Sequence, residues 1–139
     1  MMATRTIFVT KYDMDRLLEL IEGVRSTSRY NKTNIDLLEK ELYDGVLVDS
    51  ADVPHDVITM NSKVNITDVE SGEKMTYTLV FPSEANIAEN KLSILVPLGM
   101  ALIGYREGDI IEWPVPSGVR KIRVDHVIYQ PEAAGDYSL

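Results

Sequence analysis

The sequence predicts an α+β protein in which a short N-terminal antiparallel helical hairpin precedes an antiparallel sheet with one short helix. Up to about residue 52, apolar residues recur at helical spacing, whereas from about residue 53 they alternate with polar ones. A short apolar run that opens with Pro97 interrupts the strands and has the pattern of a helix. These observations predict two domains, 1–52 as the hairpin and 53–139 as the sheet domain.

The first helix is predicted from its apolar face, whose members follow the spacing i, i+3, i+4 and i+7: Met14, Leu17, Leu18 and Ile21. Thr10 with Asp13 three residues later has the pattern of a capping box. Gly23 is the predicted stop, because glycine is favoured just past the end of a helix.

The second helix repeats this arrangement with a stripe formed by Ile35, Leu38 and Leu42. Thr33 with Asp36 predicts its start, and Gly45 predicts its end. Each helix then has roughly 12 residues, or about 18 Å of length. Two amphipathic helices joined by a turn form an antiparallel hairpin.

The sheet begins with a predicted β-hairpin. Alternation at Val64 and Ile66, and again from Met75 to Phe81, flanks a polar turn over 70–73. A third strand is predicted from Leu92, Ile94 and Val96, followed by the short helix over 97–105.

A second hairpin, 110–113 with 119–129, closes the sheet domain. On its last strand we expect one apolar face formed by Ile122, Val124, His126 and Ile128. His126 is therefore predicted to be buried and hydrogen-bonded. His55 lies beside Asp56, and one of the two is predicted to bond backbone at the junction between the hairpin and the sheet.

Composition narrows the possible partners. The chain has 139 residues, with 22 Asp and Glu against 14 Lys and Arg, and a formal net charge of −8. A nucleic-acid footprint needs clustered cations that are not offset, so direct nucleic-acid binding is not expected. The sequence contains no cysteine and no apolar run long enough for a membrane span, which predicts a cytoplasmic protein without disulfides.

The turn between the two helices is positively charged, whereas the chain as a whole is acidic. It reads GVRSTSRYNKTN over residues 23–34 and carries three cations and no carboxylate. One interpretation is that Arg25, Arg29, Tyr30 and Lys32 face carboxylates or phosphates of a partner. The alternative is a solvated turn, since Ser, Thr and Asn are ordinary turn residues.

Three segments carry a resemblance to a known family. The stretch KLSILVPLGMALIGYREGDIIEW, residues 91–113, resembles the C-terminal domain of the bacterial Gre transcript-cleavage factors. VPHDVITMNSKV at 53–64 and YQPEAAGDYSL at 129–139 are similar to the Rnk proteins, the regulators of nucleoside diphosphate kinase. The C-terminal PEAAGDYSL tail looks like a feature of that group.

The resemblance implies an FKBP-like fold for the C-terminal domain and bacterial RNA polymerase as partner. In this family the domain docks at the rim of the secondary channel, against a coiled coil of the largest subunit. In true Gre factors a long hairpin enters that channel, and acidic residues at its tip help to hold a catalytic magnesium ion. Neither a cofactor nor an enzymatic activity of the chain itself is implied.

This sequence departs from the Gre pattern at the tip. The nearest carboxylates are Glu22 and Asp36, and both lie in or beside the predicted helices, behind the cations. Magnesium requires oxygen ligands, usually including a carboxylate, and is repelled by cations. We therefore expect a non-catalytic polymerase regulator that competes with Gre-type factors without stimulating cleavage.

Two other functions stay open. The family name suggests an effect on nucleoside diphosphate kinase, direct or through its expression. The FKBP-like fold suggests a peptidyl-prolyl isomerase, although the few aromatic residues after position 53 make a poor isomerase pocket.

The predicted docking surface is the start of the short helix. Gre factors carry an aspartate just before a Ser-Pro pair there, whereas this chain has Leu95, Val96 and Pro97. An apolar contact is expected to replace the ionic one, with Leu95, Leu98 and Met100 exposed. The alternative is that these side chains pack inward.

Overall fold

A computed structural model describes residues 7–27, 30, 32–115 and 118–136, with the backbone alone for 113–115. Its α-helices are α1 (Lys11–Arg25), α2 (Lys32–Asp44) and α3 (Pro97–Leu102). Its strands are β1 (Phe8–Thr10), β2 (Val46–Val48), β3 (Lys63–Asp68), β4 (Lys74–Val80), β5 (Lys91–Ser93), β6 (Ile110–Val115) and β7 (Gly118–Tyr129). The predicted α+β class and the helical hairpin are confirmed.

The boundaries of the hairpin helices differ in two places from those predicted. Thr10 caps α1 as predicted, because its hydroxyl oxygen accepts a hydrogen bond from the Asp13 backbone N–H at 3.0 Å. The helix does not stop at Gly23, however, but continues to Arg25. Thr33 is not a cap either, since it lies inside α2, while the predicted end at Gly45 is confirmed. At 1.5 Å per residue the two helices are about 22 Å and 20 Å long.

A pair of short parallel strands closes the base of the hairpin and was not predicted. β1 enters α1 directly and β2 follows α2, with Phe8 opposite Val46 and Thr10 opposite Val48. Each strand has three residues, too few for alternation to separate a strand from a loop.

The second sheet has five strands in the order β5-β4-β3-β7-β6. Its pairs are antiparallel except β4 with β5, which are parallel. The prediction of an entirely antiparallel sheet is therefore wrong at this edge. Two short 3₁₀ turns, Pro82–Glu84 and Ile87–Glu89, return the chain so that β5 runs in the direction of β4.

Irregular pairing along β7 corrects the prediction of a buried His126. The register against β3 shifts twice, so that Ile66 lies opposite Val124 but Asn65 lies opposite His126. Each extra residue in a bulge exchanges the two faces of a strand. The imidazole is consequently 73% exposed and lies 3.6 Å from the Glu107 carboxylate.

The hydrophobic core is continuous across residue 53. One cluster contains buried residues from both parts of the chain, among them Leu17, Leu38, Ile58, Met60 and Ile103. The contact between the parts is close at Gly104, where a Cβ atom would lie 2.3 Å from the Ile7 Cβ. The two parts therefore fold around a shared interior. The division into two domains at residue 53 stays a prediction that rests on the change of pattern in the sequence.

Over the described ranges, none of the helices has both the length and the apolar character needed to cross a membrane.

Candidate functional site

Arg25, the last residue of α1, forms ion pairs with carboxylates of the hairpin itself. Arg25 donates from its two terminal nitrogens to Asp36 at 2.6 Å and to Glu39 at 2.7 Å, both on α2. Its hydrogen bond to Asp36 and the neighbouring Glu39 carboxylate raise the pKa of Arg25 above its usual value. Arg25 thus holds α1 and α2 together near the tip.

The other predicted tip residues differ in how available they are. Tyr30 is half-buried and packs against the core cluster, so only part of its side chain is accessible to a partner. Lys32 is exposed at the first residue of α2. Arg29 lies outside the described residues.

The carboxylates near the tip are not arranged as a metal site. Asp36 already accepts from Arg25, and Glu22 is exposed on the last turns of α1. Among the side chains that the structure describes, no three His, Asp or Glu residues gather closely enough to hold an ion.

The second candidate surface is built where β5 leads into α3. Ile94 donates its backbone N–H to Val80 at 2.9 Å, which keeps the chain beside β4 after β5 ends. Pro97 occupies the first turn of α3, where its missing N–H costs nothing. Gly99 then packs so closely on the preceding turn that a Cβ atom would lie 2.1 Å from the Ser93 carbonyl oxygen.

The burial of Leu95 corrects the prediction that this side chain is exposed. Leu95 is only 4% exposed and belongs to the core cluster together with Ile94. Alternation does not apply, because the strand ends at Ser93 and the chain turns there, with the Leu95 N–H donating to the Ser93 hydroxyl at 3.1 Å. The inward-packing alternative holds for this residue.

The other residues of this candidate docking surface are exposed or partly exposed to solvent. Val96 is 37% exposed and Pro97 is exposed as well. Leu98 and Met100 are half-buried, each with one side against the core. The apolar patch is therefore centred on Val96 and Pro97 rather than on Leu95.

A buried carboxylate fixes the hairpin to the sheet domain. Asp13 accepts a hydrogen bond from the Met60 backbone N–H at 3.0 Å and one from Arg16 at 2.6 Å. Burial raises the pKa of Asp13, while these two partners oppose the shift. Asp13 is thus a tertiary anchor as well as a residue of the first turn of α1.

A second buried carboxylate comes from the C-terminal segment. Glu132 accepts a hydrogen bond from the Thr59 hydroxyl at 2.7 Å, and the Thr59 and Ser62 hydroxyls lie 2.8 Å apart. Gln130 donates to the carbonyl oxygens of Pro54 and Val57. Burial raises the pKa of Glu132, and the negative charge of Asp13 adds to the effect.

Sequence patterns did not reveal this polar junction. Asp13 has the position of an ordinary capping residue, and Glu132 lies in a polar tail, so neither carries a signal of burial. At the nearby His55–Asp56 pair, the Asp56 carbonyl oxygen accepts a hydrogen bond from the Glu107 backbone N–H at 3.1 Å. The Asp56 side chain also forms an ion pair with Arg106 at 3.0 Å, and His55 is exposed.

Comparison with known proteins identifies the family. Residues 53–129 match the family described as "Transcription elongation factor, GreA/GreB, C-term". The "Regulator of nucleoside diphosphate kinase" of Escherichia coli K12 is 37% identical over 139 residues, which covers 99% of this chain and 100% of that protein. GreA of Clostridium beijerinckii is 34% identical over 103 residues, covering 74% of this chain and 64% of the factor.

A solved structure is similar over nearly the same length. The transcription elongation factor GreA/GreB from Nitrosomonas europaea is 38% identical, with a TM-score of 0.74 over 90% of this chain and 99% of that one. The full-length match to the Escherichia coli regulator distinguishes the chain from GreA, of which it spans less than two thirds. The chain therefore belongs to the Rnk family of regulators, which shares the C-terminal domain of the GreA/GreB transcription elongation factors.

Proposed function

We propose that this protein is a non-catalytic regulator that binds bacterial RNA polymerase at the rim of the secondary channel through its C-terminal domain. It does not stimulate transcript cleavage, and it competes with Gre-type factors for their docking site on the largest-subunit coiled coil. Support for a polymerase partner comes from the match of residues 53–129 to the GreA/GreB C-terminal domain.

The proposed absence of cleavage is supported by the ion pairs that Arg25 forms with Asp36 and Glu39. A metal-delivering tip needs carboxylates that are free to bind an ion. In this hairpin both Asp36 and Glu39 are paired with the Arg25 guanidinium, at 2.6 and 2.7 Å. A divalent ion would have to displace a guanidinium from both carboxylates.

The proposed docking surface is Val96 and Pro97, flanked by the half-buried Leu98 and Met100. An exposed apolar centre is typical of protein interfaces, where it is surrounded by polar residues. Of the predicted tip residues, Lys32 and Arg29 are proposed as supporting contacts to polymerase carboxylates or phosphates, since Arg25 and Tyr30 have roles within the hairpin.

A binding measurement with purified core RNA polymerase tests the docking surface. Val96→Asp is expected to weaken binding about tenfold or more, because it places a charge in the apolar centre. The control is Val69→Asp, since Val69 is a valine of similar exposure in the turn between β3 and β4. Equal affinity of Val96→Asp and wild type would exclude this surface.

A cleavage assay tests the absence of catalysis. On backtracked complexes this protein is expected to leave the cleavage rate unchanged when alone and to lower the rate when added before a Gre factor. Val96→Asp should not inhibit the Gre factor. Faster cleavage in the presence of the protein alone would contradict the proposal.

A second candidate function follows from the Escherichia coli relative, whose printed name is "Regulator of nucleoside diphosphate kinase". Under this alternative, the chain alters the level of that kinase through transcription or binds the enzyme directly. Gel filtration of the purified protein mixed with the kinase distinguishes the two routes, because direct binding gives a co-eluting complex.

A further inference from the structure

A groove of about 580 Å³ lies between α1 and the segment that follows β4. Leu20 and Val24 line it from α1, and Phe81 and Pro82 line it from the opposite side. These side chains are half-buried, so each has an apolar surface that the fold leaves uncovered. The groove is shallow and open, a shape suited to a protein segment rather than to an enclosed small molecule.

Gly23 lies in the wall of this groove, and the space beside it is open. The helix runs through it to Arg25, and a Cβ atom added there would meet no atom within 4 Å. Its backbone is not in the left-handed region that favours glycine. Since glycine stabilises a helix less than alanine does, neither helix formation nor internal packing explains its presence. Close approach of another chain does explain it.

Two carboxylates at the groove indicate that its occupant is positively charged. Glu19 on α1 and Glu84 after β4 both line it and are exposed. Within the part of the chain that the structure describes, neither takes part in an ion pair. The cation in the groove, Arg16, is already engaged, because it binds Asp13 and stacks 4.8 Å from the Phe81 ring centre.

We propose that this groove binds an α-helical segment of a partner protein whose apolar stripe is flanked by lysine or arginine. Leu20, Gly23 and Val24 are spaced i, i+3 and i+4, which forms a ridge on α1 against which a second helix packs. The glycine lets the two helix axes approach closely. The partner cations pair with Glu19 and Glu84. The groove uses none of the residues of the Val96–Pro97 surface, so the inference does not depend on the proposed function.

The test uses the full-length chain labelled with ¹⁵N and two synthetic amphipathic peptides of about 18 residues, long enough to form a helix. One peptide carries lysine beside its leucine stripe, and the other carries glutamate at the same positions. The lysine peptide is expected to shift the amide signals of Leu20, Gly23, Val24 and Ser83, and the glutamate peptide is not. No binding by the lysine peptide, or shifts confined to other surfaces, would overturn the proposal.

Substitutions at Gly23 separate binding from folding. Gly23→Leu is expected to weaken binding of the lysine peptide about tenfold or more by filling the groove, without lowering Tm. Gly23→Ala should raise Tm slightly and weaken binding less. Thr33→Leu on the exposed side of α2 is the matched control and should bind like wild type. Wild-type affinity of Gly23→Leu would show that the peptide does not occupy this groove.

Removing the two charges tests the electrostatic part. The double variant Glu19→Gln, Glu84→Gln is expected to bind roughly threefold to tenfold more weakly at low salt, with a smaller difference at high salt. An unchanged affinity would contradict the pairing of partner cations with these carboxylates.

Discussion

At the scale of single residues, Leu95 shows how burial changes the meaning of a substitution. Because Leu95 is 4% exposed, Leu95→Asp would bury a charge and is expected to unfold the protein, so it cannot report on binding. Leu95→Ala should cost about 2–5 kcal/mol in the free energy of unfolding. Val96→Ala, at the neighbouring exposed position, should change it by less than about 0.5 kcal/mol. Urea denaturation of the two variants measures the difference.

Glu132 gives a pH-dependent prediction. Its folded pKa is raised, chiefly by burial, so between its unfolded and folded pKa values the folded state binds more protons than the unfolded state. The stability contributed by this group is present below the unfolded pKa and is lost as pH rises through the folded pKa. Glu132→Gln keeps an acceptor for the Thr59 hydroxyl and has no charge. The variant is expected to be more stable than wild type at pH 7, with the gain disappearing below the ordinary pKa of glutamate.

The measurement for Glu132 is the difference in free energy of unfolding between variant and wild type as a function of pH. Taking the difference removes the contribution of groups that do not interact with Glu132, such as Asp68. The pKa of Asp68 is lowered by the Ser71 backbone N–H and by Arg120, so its stabilising effect has the opposite pH dependence. A variant that is less stable than wild type at every pH would show that the ionised carboxylate is favourable where it lies.

At the scale of elements, the close packing of α3 on the end of β5 depends on one glycine. A Cβ atom at position 99 would lie 2.1 Å from the Ser93 carbonyl oxygen, and backbone atoms cannot move aside easily. Gly99→Ala is expected to cost about 1–3 kcal/mol in the free energy of unfolding. If the proposed docking surface is correct, the variant also binds polymerase more weakly, because the Val96–Pro97 surface shifts with the helix. Gly23→Ala is the matched control, since its Cβ meets nothing. A Gly99→Ala protein with wild-type stability would contradict the close contact.

The elements also show which features the sequence predicts and which it does not. Helices with a repeated apolar stripe, such as Leu17 with Ile21, are readily predicted because periodicity reports the buried face directly. Strand faces are predicted only while the ladder is regular. At β7 the bulges expose His126, and at the end of β5 a turn buries Leu95 beside Ile94. Both errors arose where alternation was extended past an interruption that leaves no mark in the sequence.

The candidate site was predictable to a similar extent. The proposed docking surface at the start of α3 rests on the proline and on the family resemblance, and it stays a prediction. The engagement of Arg25 with Asp36 and Glu39 required the geometry of two helices at once. The buried contacts of Asp13 with Met60 and of Glu132 with Thr59 join residues 47 and 73 positions apart, and no local pattern reports a contact over such a separation.

At the scale of the whole molecule, the hairpin and the sheet domain are expected to be one folding unit. The core cluster runs through both, and Asp13 fixes α1 to the Met60 backbone inside it. Under the proposed function this arrangement favours binding, because a hairpin already packed on the sheet domain loses little conformational entropy when that domain docks.

The isolated segment 53–139 tests this coupling. Without the hairpin, apolar side chains such as Ile58, Met60 and Ile103, all buried in the full chain, lose part of their cover, and the Met60 N–H loses its acceptor. Uncovering even two such side chains costs about 3 kcal/mol or more, a large share of the 5–15 kcal/mol typical of a small protein. The segment is expected to bind a hydrophobic dye and to unfold at a lower urea concentration than the full chain, which should unfold in one transition. Two separate transitions in the full chain, with the second matching that of the isolated segment, would instead establish two independent domains that only touch.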